Sequence, residues 1–270
     1  MGGVGGVGGV AGGGVAGVAG TAGAGGQPSQ SLFCDTSERA VLYLLSDQST
    51  LFRIDADTLE PLGQVQVGVS GANSLAVTAN GTVYATAGLE LYRLDPFSGQ
   101  AVNVNLVVAN FSGEFSLTIG YAPVDPVLFG DALLLAHADP SGEIDLYAVP
   151  LQSSFVPLWR HHFDDLDEYP EPLVDPTGRT FAMISEGFVE YDPGTLTELG
   201  TLPVPGLPEA WSGDSAYLSG YLFAAYAESS SSSRIYRAQV AADVGDSPIR
   251  ELGNLPIAVV GAGATCEERP

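Results

Sequence analysis

The chain of 270 residues is long enough to bury a sizeable core, since 45% of its residues are hydrophobic and only 15% are charged. Nine arginines and no lysine oppose 32 acidic residues, which gives a formal net charge of −23. This charge excludes nucleic acids and anionic membrane surfaces as expected partners, because both are polyanionic. The missing lysine excludes Schiff-base and P-loop chemistry. The acidic surface predicts solubility, with an acidic groove for a cation or a basic partner as the alternative.

The N-terminal segment is of low complexity. Fourteen of the first 26 residues are glycine, and this stretch contains no charged residue and no Leu, Ile or Phe. It therefore lacks the apolar residues of a membrane span and the basic start of a signal peptide, and we expect no direct membrane insertion by this chain. Glycine-rich tracts behave as flexible coils. The sequence thus predicts a disordered linker over residues 1–30 and a folded domain over residues 31–270.

The folded domain contains an internal repeat of three short β-type runs rich in Val, Leu, Tyr and Phe. Turn signals such as Asp-Pro, Asn-Gly and Ser-Gly separate the runs, and the middle run recurs after about 40 to 55 residues. A period near this length with several strands per unit is typical of propeller blades. The five sets are 40–46, 51–55 and 62–67; 82–86, 91–95 and 101–108; 132–137, 145–149 and 155–159; 180–184, 188–192 and 199–203; and 221–226, 234–238 and 250–254.

A fourth strand is expected before each set. Residues 74–78, 172–176 and 210–214 occupy this position, while the first set has only the weak candidate 31–34. An additional run over 256–265 follows the last set and would complete the first blade. We therefore predict an all-β fold, a β-propeller of about five four-stranded blades, with the ring closed by the C-terminal strand in blade one.

The two cysteines, Cys34 and Cys266, lie near the two ends of the folded domain. This separation is poorly suited to a zinc site, which usually needs closely spaced ligand pairs. Closing the ring would bring both ends into one blade, so a disulfide is predicted, and two unrelated buried thiols are the alternative. Disulfides persist in oxidising compartments, which predicts an extracytoplasmic location, either at a bacterial cell envelope or in secreted form.

The second repeat carries a family resemblance. Asn80-Gly81, then the run Thr82–Thr86, then Leu-Tyr-Arg-Leu-Asp-Pro over 91–96, resembles the repeats of bacterial YVTN/quinoprotein-like β-propellers, and the blade pattern covers residues 31–268. The resemblance implies the fold. The tryptophan docking motif of quinoproteins is absent, so no quinone cofactor is expected. The glycine-rich start looks like the linker of bacterial envelope lipoproteins, which would require a true start upstream of Met1.

Residues 161–171 are rich in groups that bind metals. Asp164, Asp165 and Asp167 offer the hard oxygen ligands that Ca²⁺ prefers, although their spacing is not that of an EF-hand. The alternative is a solvated acidic loop. His161 and His162 would face opposite sides of a strand, which disfavours a shared transition metal. Calcium is therefore the single candidate metal, and no other cofactor is expected.

No catalytic residue is predicted from a motif, because Gly-x-Ser-x-Gly does not occur. Tyr169, Glu171 and Trp211 lie near the starts of first strands and could form the rim of a ligand site. We predict a monomeric, non-catalytic binding propeller, at the envelope or secreted, whose partner is an unknown protein or carbohydrate. The alternative is a propeller hydrolase or lyase that uses channel-facing carboxylates such as Asp125, Glu171 and Glu209, with or without calcium.

Overall fold

The computed structural model describes residues 34–35, 37–106, 117–123, 131–138, 144–151, 155–163, 171–184, 187–195, 197–204 and 212–268. These residues form twenty β-strands and one short 3-10 helix, η1 (Val244–Asp246), with no α-helix among them. Within these ranges, no helix has the length and apolar character needed to cross a membrane.

The strands form five four-stranded antiparallel sheets arranged as the blades of a β-propeller. Blade 1 consists of β1 (Glu38–Ser46), β2 (Thr50–Asp55) and β3 (Pro61–Gln66), with β20 (Val259–Glu268) on the inside. Blade 2 contains, from the inside outward, β4 (Ala72–Val77), β5 (Val83–Ala87), β6 (Glu90–Leu94) and β7 (Ala101–Asn103). Blade 3 contains β8 (Leu117–Ala122), β9 (Ala132–Ala138), β10 (Ile144–Pro150) and β11 (Leu158–Phe163). Blade 4 contains β12 (Glu171–Val174), β13 (Thr180–Ile184), β14 (Gly187–Tyr191) and β15 (Glu198–Pro203), and blade 5 contains β16 (Ser212–Leu218), β17 (Tyr221–Ser229), β18 (Ser232–Gln239) and β19 (Ile249–Leu255).

The two ends of the folded domain meet in blade 1. Strand β20 pairs with β1 in an antiparallel register that runs from Glu38↔Glu268 to Leu45↔Gly261. This pairing confirms the predicted closure of the ring by the C-terminal strand. The strand occupies 259–268 rather than the predicted 256–265, so it continues past Cys266 and carries this cysteine into the ladder opposite Ala40.

Aspartates at strand ends build the repeated outer turns of the blades. Asp55, Asp95 and Asp192 each accept, through Oδ1, the backbone N–H groups of the residues two and three positions later, at 2.8–3.1 Å. A carboxylate that satisfies two free N–H groups holds the chain in a tight turn and ends the strand. This role explains why three of the five middle runs in the sequence end in aspartate.

The hydrophobic cores lie between neighbouring blades, and the second strand of a blade can contribute to two of them. In β1, Val41, Tyr43 and Leu45 pack against blade 2, whereas Leu42 and Leu44 pack against blade 5. Successive side chains of a strand point to opposite faces. A strand with both faces covered is therefore apolar at nearly every position, which is the continuous pattern that the sequence shows over residues 40–45.

Glycines allow the five inner strands to approach one another closely. A Cβ atom at Gly120 in β8 would lie 1.5 Å from the carbonyl oxygen of Pro172 in β12, and one at Gly263 in β20 would lie 2.4 Å from Val77 Cγ2 in β4. Any side chain at these positions would therefore push the inner strands apart. The small residues make a narrow ring of five blades possible.

Blade 3 differs most from the prediction. Its outer strand spans Leu158–Phe163 rather than 155–159, because Pro157 cannot donate to a strand ladder and the strand begins after it. Its inner strand, β8, had no residues assigned from the sequence, since Gly120 interrupts an otherwise short β-type run. In blade 5, the inner strand begins at Ser212 and extends to Leu218, beyond the predicted 210–214.

Candidate functional site at the channel mouth

The candidate site lies on the axis of the propeller, where the inner strands of all five blades end. A cavity of about 260 Å³ opens there, and we call it the mouth cavity. Its lining comes from the C-terminal halves of the five inner strands and the residues that follow them: 75–77 and 79, 120–121 and 123, 173–174 and 176, 215–219, and 262–266. Five strands distant in sequence thus contribute to one concave surface, which is the kind of surface where ligands usually bind.

The lining is mainly aliphatic. Leu75, Val77, Leu173, Val174 and Leu218 contribute the larger side chains. Five alanines and two glycines, on β4, β8, β16, β20 and the turn after β4, leave space between them: Ala76, Ala79, Ala216, Ala262, Ala264, Gly120 and Gly263. Among the described lining residues, none carries a carboxylate, an imidazole, an amine or a free thiol. The cavity therefore suits an uncharged apolar group rather than an ion.

Two tyrosines stand at the edge of the mouth cavity. The hydroxyl of Tyr217 accepts the backbone N–H of Gly220 at 2.9 Å, which fixes the ring against the β16–β17 turn. Burial raises the pKa of Tyr217, and the nearby Asp175 carboxylate raises it further. Burial likewise raises the pKa of Tyr121, with a smaller contribution from Asp131. Both phenols are neutral at physiological pH and offer a partner aromatic surface together with a hydroxyl.

Ser215 is among the lining residues, and its hydroxyl is buried. Ser215 is 2% exposed, and its Oγ has no hydrogen-bond partner within the described part of the chain. Its backbone N–H donates to Asp214 Oδ1 at 2.6 Å, which holds this segment of β16 in place. A buried hydroxyl without a partner carries a free-energy cost.

Asp214 connects the inner strands below the mouth cavity. This residue is 1% exposed, and its Oδ2 accepts the N–H of Ala262 at 2.8 Å and the N–H of Leu75 at 3.3 Å. The Ser74 hydroxyl contacts the same oxygen at 3.4 Å and accepts the N–H of Ile119 at 3.0 Å. One side chain therefore links blades 5, 1 and 2, and Ser74 extends the link to blade 3. The inner edges of the sheets would otherwise bury unpaired N–H groups.

Sequence reasoning did not identify Asp214 or Ser215 as important. In the sequence, Asp214 is the last residue of the predicted strand 210–214. It therefore looked the same as the aspartates that end strands before the outer turns. The available signal was its position: a carboxylate between Gly213 and the apolar run Ala216–Leu218, in the slot of an inner strand. An acidic residue at a buried strand position is rare unless donors surround it.

The disulfide between Cys34 and Cys266 is present, with the two Cα atoms 5.6 Å apart, so this prediction is confirmed. Cys266 also lines the mouth cavity, and the bridge therefore fastens the N-terminal end of the domain to the edge of the site. Glu38 lies beside it, and ligand atoms of the three residues fall within 4.8 Å of one another. Because both sulfurs are in the bridge, the carboxylate alone remains as a strong ligand in this group.

The other predicted site residues remain predictions. Asp164, Asp165 and Asp167 of the proposed calcium loop, and Tyr169 and Trp211 of the proposed rim, lie outside the described residues. Glu171 begins the inner strand β12, and its side chain is not described. The start of an inner strand faces the end of the channel opposite the mouth cavity. Of the predicted rim, the backbone of Glu171 is therefore placed at the end of the channel opposite the mouth cavity.

A polar cluster surrounds Asp145 on the outer part of blade 3. His162 Nδ1 lies 3.0 Å from Asp145 Oδ1, and the indole N–H of Trp159 donates to the same oxygen at 3.1 Å. Tyr147 donates to the other oxygen of Asp145 at 3.3 Å. Burial raises the pKa of Tyr147 to about 12, and the Asp145 carboxylate adds to this rise. The side chain of His161 lies outside the described residues.

No protein family and no curated protein matches the sequence. Solved structures with a similar arrangement include the hydrazine synthase of Kuenenia stuttgartiensis (14% identity, TM-score 0.42, 78% of this chain and 65% of that chain). The PQQ-bound aldose sugar dehydrogenase of Streptomyces coelicolor is similar at 14% identity and a TM-score of 0.41, over 73% of this chain and 63% of that one. The WD40 domain of Toxoplasma gondii coronin is similar at 14% identity and a TM-score of 0.36, over 80% and 42%.

The chain spans less than two thirds of the length of each of these proteins. Their functions differ from one another, and the similarity concerns the arrangement of blades. The assignment of a five-bladed propeller rests on the strand pairing described above. The YVTN-type family suggested by the repeat is not identified by these comparisons.

Proposed function

We propose that this propeller is a non-catalytic binding module that acts outside the cytoplasm and receives an apolar group of a protein partner in the mouth cavity. The observation that supports this proposal is the cavity itself, at the place where all five inner strands end. Its described lining contains no carboxylate, imidazole, amine or free thiol that could serve as a general base or as a strong metal ligand. A protein partner is favoured over a carbohydrate, because the hydroxyl groups of a sugar would lose hydrogen bonds against an aliphatic wall.

The charge of the chain adds a second requirement on the partner. Four of the arginines, Arg53, Arg179, Arg234 and Arg237, already contact carboxylates within the domain. The net charge of −23 makes the chain strongly acidic as a whole, while the described lining of the cavity carries no charge. A partner with basic residues surrounding one apolar side chain would be attracted over a long distance and then anchored in the cavity.

The disulfide supports an extracytoplasmic location, because such bridges persist in oxidising compartments. In this proposal the glycine-rich residues 1–30 act as a spacer that tethers the propeller at a bacterial envelope, and the domain binds as a monomer. The spacer would allow the mouth to reach partners at different distances from its attachment.

The proposal can be tested with peptides. Phage-displayed random peptides are selected on the oxidised wild-type chain, and their affinity is then measured for the variants Ala79→Trp and Ser230→Trp. Ala79 is exposed and borders the mouth cavity, so a tryptophan there obstructs the opening without entering the core. Ser230 is exposed in the β17–β18 turn, on the opposite face of the ring, and provides the matched control.

We expect the selected peptides to bind Ala79→Trp at least about tenfold more weakly than the wild type, which is the loss typical of removing one anchor residue. They should bind Ser230→Trp as tightly as the wild type. The peptides should share one apolar position flanked by Arg or Lys. Equal affinity for both variants would contradict the proposal. Binding of sugars on a glycan array that is equally insensitive to Ala79→Trp would point to a carbohydrate site elsewhere.

A further inference from the structure

We infer that the outer part of blade 3 carries a second binding site, which takes a neutral pyranose sugar with equatorial hydroxyls. The sugar stacks on the indole of Trp159 and donates a hydrogen bond to Asp145. This inference goes beyond the proposed function, since it concerns another class of ligand and another place in the ring. Trp159 lies on β11, the outermost strand of blade 3, whereas β8 at the inside reaches the mouth cavity. Three strand spacings of about 4.8 Å separate β11 from β8 by roughly 14 Å.

The strand pairing gathers polar groups around Trp159 on one face of the blade. In the register of β10 and β11, Tyr147 lies opposite Trp159 and Asp145 lies opposite His162. Residues directly opposite one another share a face of a sheet, and so do residues two positions apart in one strand. All four side chains therefore belong to the same face, and Asp145 is the diagonal neighbour of Trp159.

Hydrogen bonds to Asp145 hold the indole in place. The Trp159 N–H donates to Asp145 Oδ1 at 3.1 Å, and His162 Nδ1 lies 3.0 Å from the same oxygen. The Tyr147 hydroxyl donates to Asp145 Oδ2 at 3.3 Å. Trp159 nevertheless remains 59% exposed. Its ring is therefore fixed and accessible, so little side-chain freedom is lost when a ligand covers it.

The indole and the carboxylate together match the two kinds of surface on a pyranose. A pyranose with equatorial hydroxyls has faces of C–H groups and a rim of hydroxyls, and the faces can stack on an indole while the rim stays hydrated. A carboxylate has about four acceptor positions, of which the described residues use three. The Asp145 side chain is 28% exposed. A hydroxyl at the rim of the stacked sugar can therefore donate to it, in a hydrogen bond strengthened by the charge.

The charge of the site favours a neutral sugar. The Asp145 carboxylate and the net charge of −23 oppose an acidic sugar. A cationic side chain is the competing ligand, because a cation is attracted to the face of an indole. Cages for cations combine several aromatic faces, however, and Tyr147, the neighbouring aromatic residue on this face, is only 5% exposed.

The test is ¹⁵N NMR of the indole N–H groups in the oxidised full chain. The chain has two tryptophans, so it gives two indole signals, and Trp159→Phe assigns them. Titration with methyl β-D-glucoside or cellotriose should shift the Trp159 signal and leave the Trp211 signal in place. For the monosaccharide we expect a dissociation constant on the order of 1 mM. Methyl β-D-glucuronide, which differs from the glucoside by its carboxylate, should bind about fivefold more weakly at low salt.

Variants then show that the indole forms the site. Trp159→Ala should weaken the binding of cellotriose, measured by ligand-observed NMR, at least about tenfold, while its unfolding temperature stays close to that of the wild type. The matched control is Phe97→Ala, which removes another exposed aromatic ring, one that already has the Arg53 guanidinium 4.4 Å from its centroid. The control should bind cellotriose like the wild type.

Three results would overturn the inference: no shift of the Trp159 signal with either sugar, a shift of the Trp211 signal alone, or tighter binding of Nα-acetyl-lysinamide than of the glucoside. The first two are measured on the wild type, so they do not depend on the folding of a variant. Ala79→Trp separates the two sites, because it should leave the sugar titration unchanged. If Trp159 does not respond while the selected peptides still require the mouth cavity, this inference fails and the protein-binding proposal stands. If the sugar shift disappears in Ala79→Trp, the sugar binds in the mouth cavity, and both proposals fail.

Discussion

The substitution Asp214→Asn tests how the ring of blades is held together. Both carboxylate oxygens of Asp214 accept backbone N–H groups, Oδ1 from Ser215 and Oδ2 from Leu75 and Ala262. An amide has one acceptor oxygen and one NH₂ group. Whichever way the substituted amide turns, at least one backbone N–H then faces another donor in a site that is 1% exposed.

The expected loss of stability follows from these contacts. A hydrogen bond to a charged acceptor contributes about 1.5–3 kcal/mol, and a buried donor left unpaired costs about 1–3 kcal/mol. Asp214→Asn loses one such bond and brings two donors face to face, so the free energy of unfolding should fall by about 3 kcal/mol. This is a large part of the stability of a typical domain. For a domain of this size the unfolding temperature should fall by roughly 6–12 °C. Denaturant unfolding should show a lower midpoint with an unchanged slope.

The matched control is Asp95→Asn. Asp95 accepts the N–H groups of Phe97 and Ser98 through Oδ1 alone and is exposed, so an amide oxygen can replace the carboxylate oxygen there. We expect the control to unfold close to the temperature of the wild type. An Asp214→Asn protein as stable as the wild type, or more stable, would refute the reasoning, because desolvation of the buried charge would then outweigh its hydrogen bonds.

The disulfide, an inner-strand glycine and a turn aspartate give three more expectations. Removing the Cys34–Cys266 bridge, which spans a sequence separation of 232 residues, should cost about 4–5 kcal/mol, and a reductant should lower the thermal unfolding temperature of the wild type but not of the double alanine variant. Gly120→Ala should destabilise the ring strongly, because its Cβ would overlap a carbonyl oxygen of β12, whereas Gly63→Ala, with the nearest atom 3.9 Å away, should be tolerated. The pKa of Asp192 is lowered from 3.8, chiefly by a backbone N–H, so its contribution to stability is present above that value and is lost as the pH falls further. Asp192→Asn should therefore be slightly less stable than the wild type at neutral pH, and the difference should shrink in acid titrations below about pH 4.

Much of the fold could be predicted from the sequence because its signals are local. The second strands of the blades are buried on both faces and appear as continuous apolar runs, and the outer turns carry aspartates that satisfy nearby N–H groups. The closure of the ring was predictable since Cys34, Cys266 and the additional C-terminal run pointed to the same blade. The strands that were missed or misplaced, β8 and β11, are those in which a glycine or a proline breaks the pattern.

The candidate site could not be predicted in the same way. The mouth cavity combines residues from Leu75 to Cys266, and its walls consist largely of alanines, glycines and valines that carry no chemical signal of their own. Asp214 is important because strands far away in sequence bring N–H donors to it, and the Ser215 hydroxyl is buried without a partner among the described residues. Sequence reasoning instead selected residues with conspicuous chemistry, most of which lie outside the described part of the chain.

The central claim, that the mouth cavity is the binding site, is tested most directly by NMR of protein labelled at the alanine methyl groups. Five alanines line the cavity: Ala76, Ala79, Ala216, Ala262 and Ala264. Ala132 and Ala148, buried within blade 3, provide internal controls. Titration with a selected peptide should shift the methyl signals of the five lining alanines and leave the two controls unchanged. Tight binding that shifts none of the five lining signals would contradict the account.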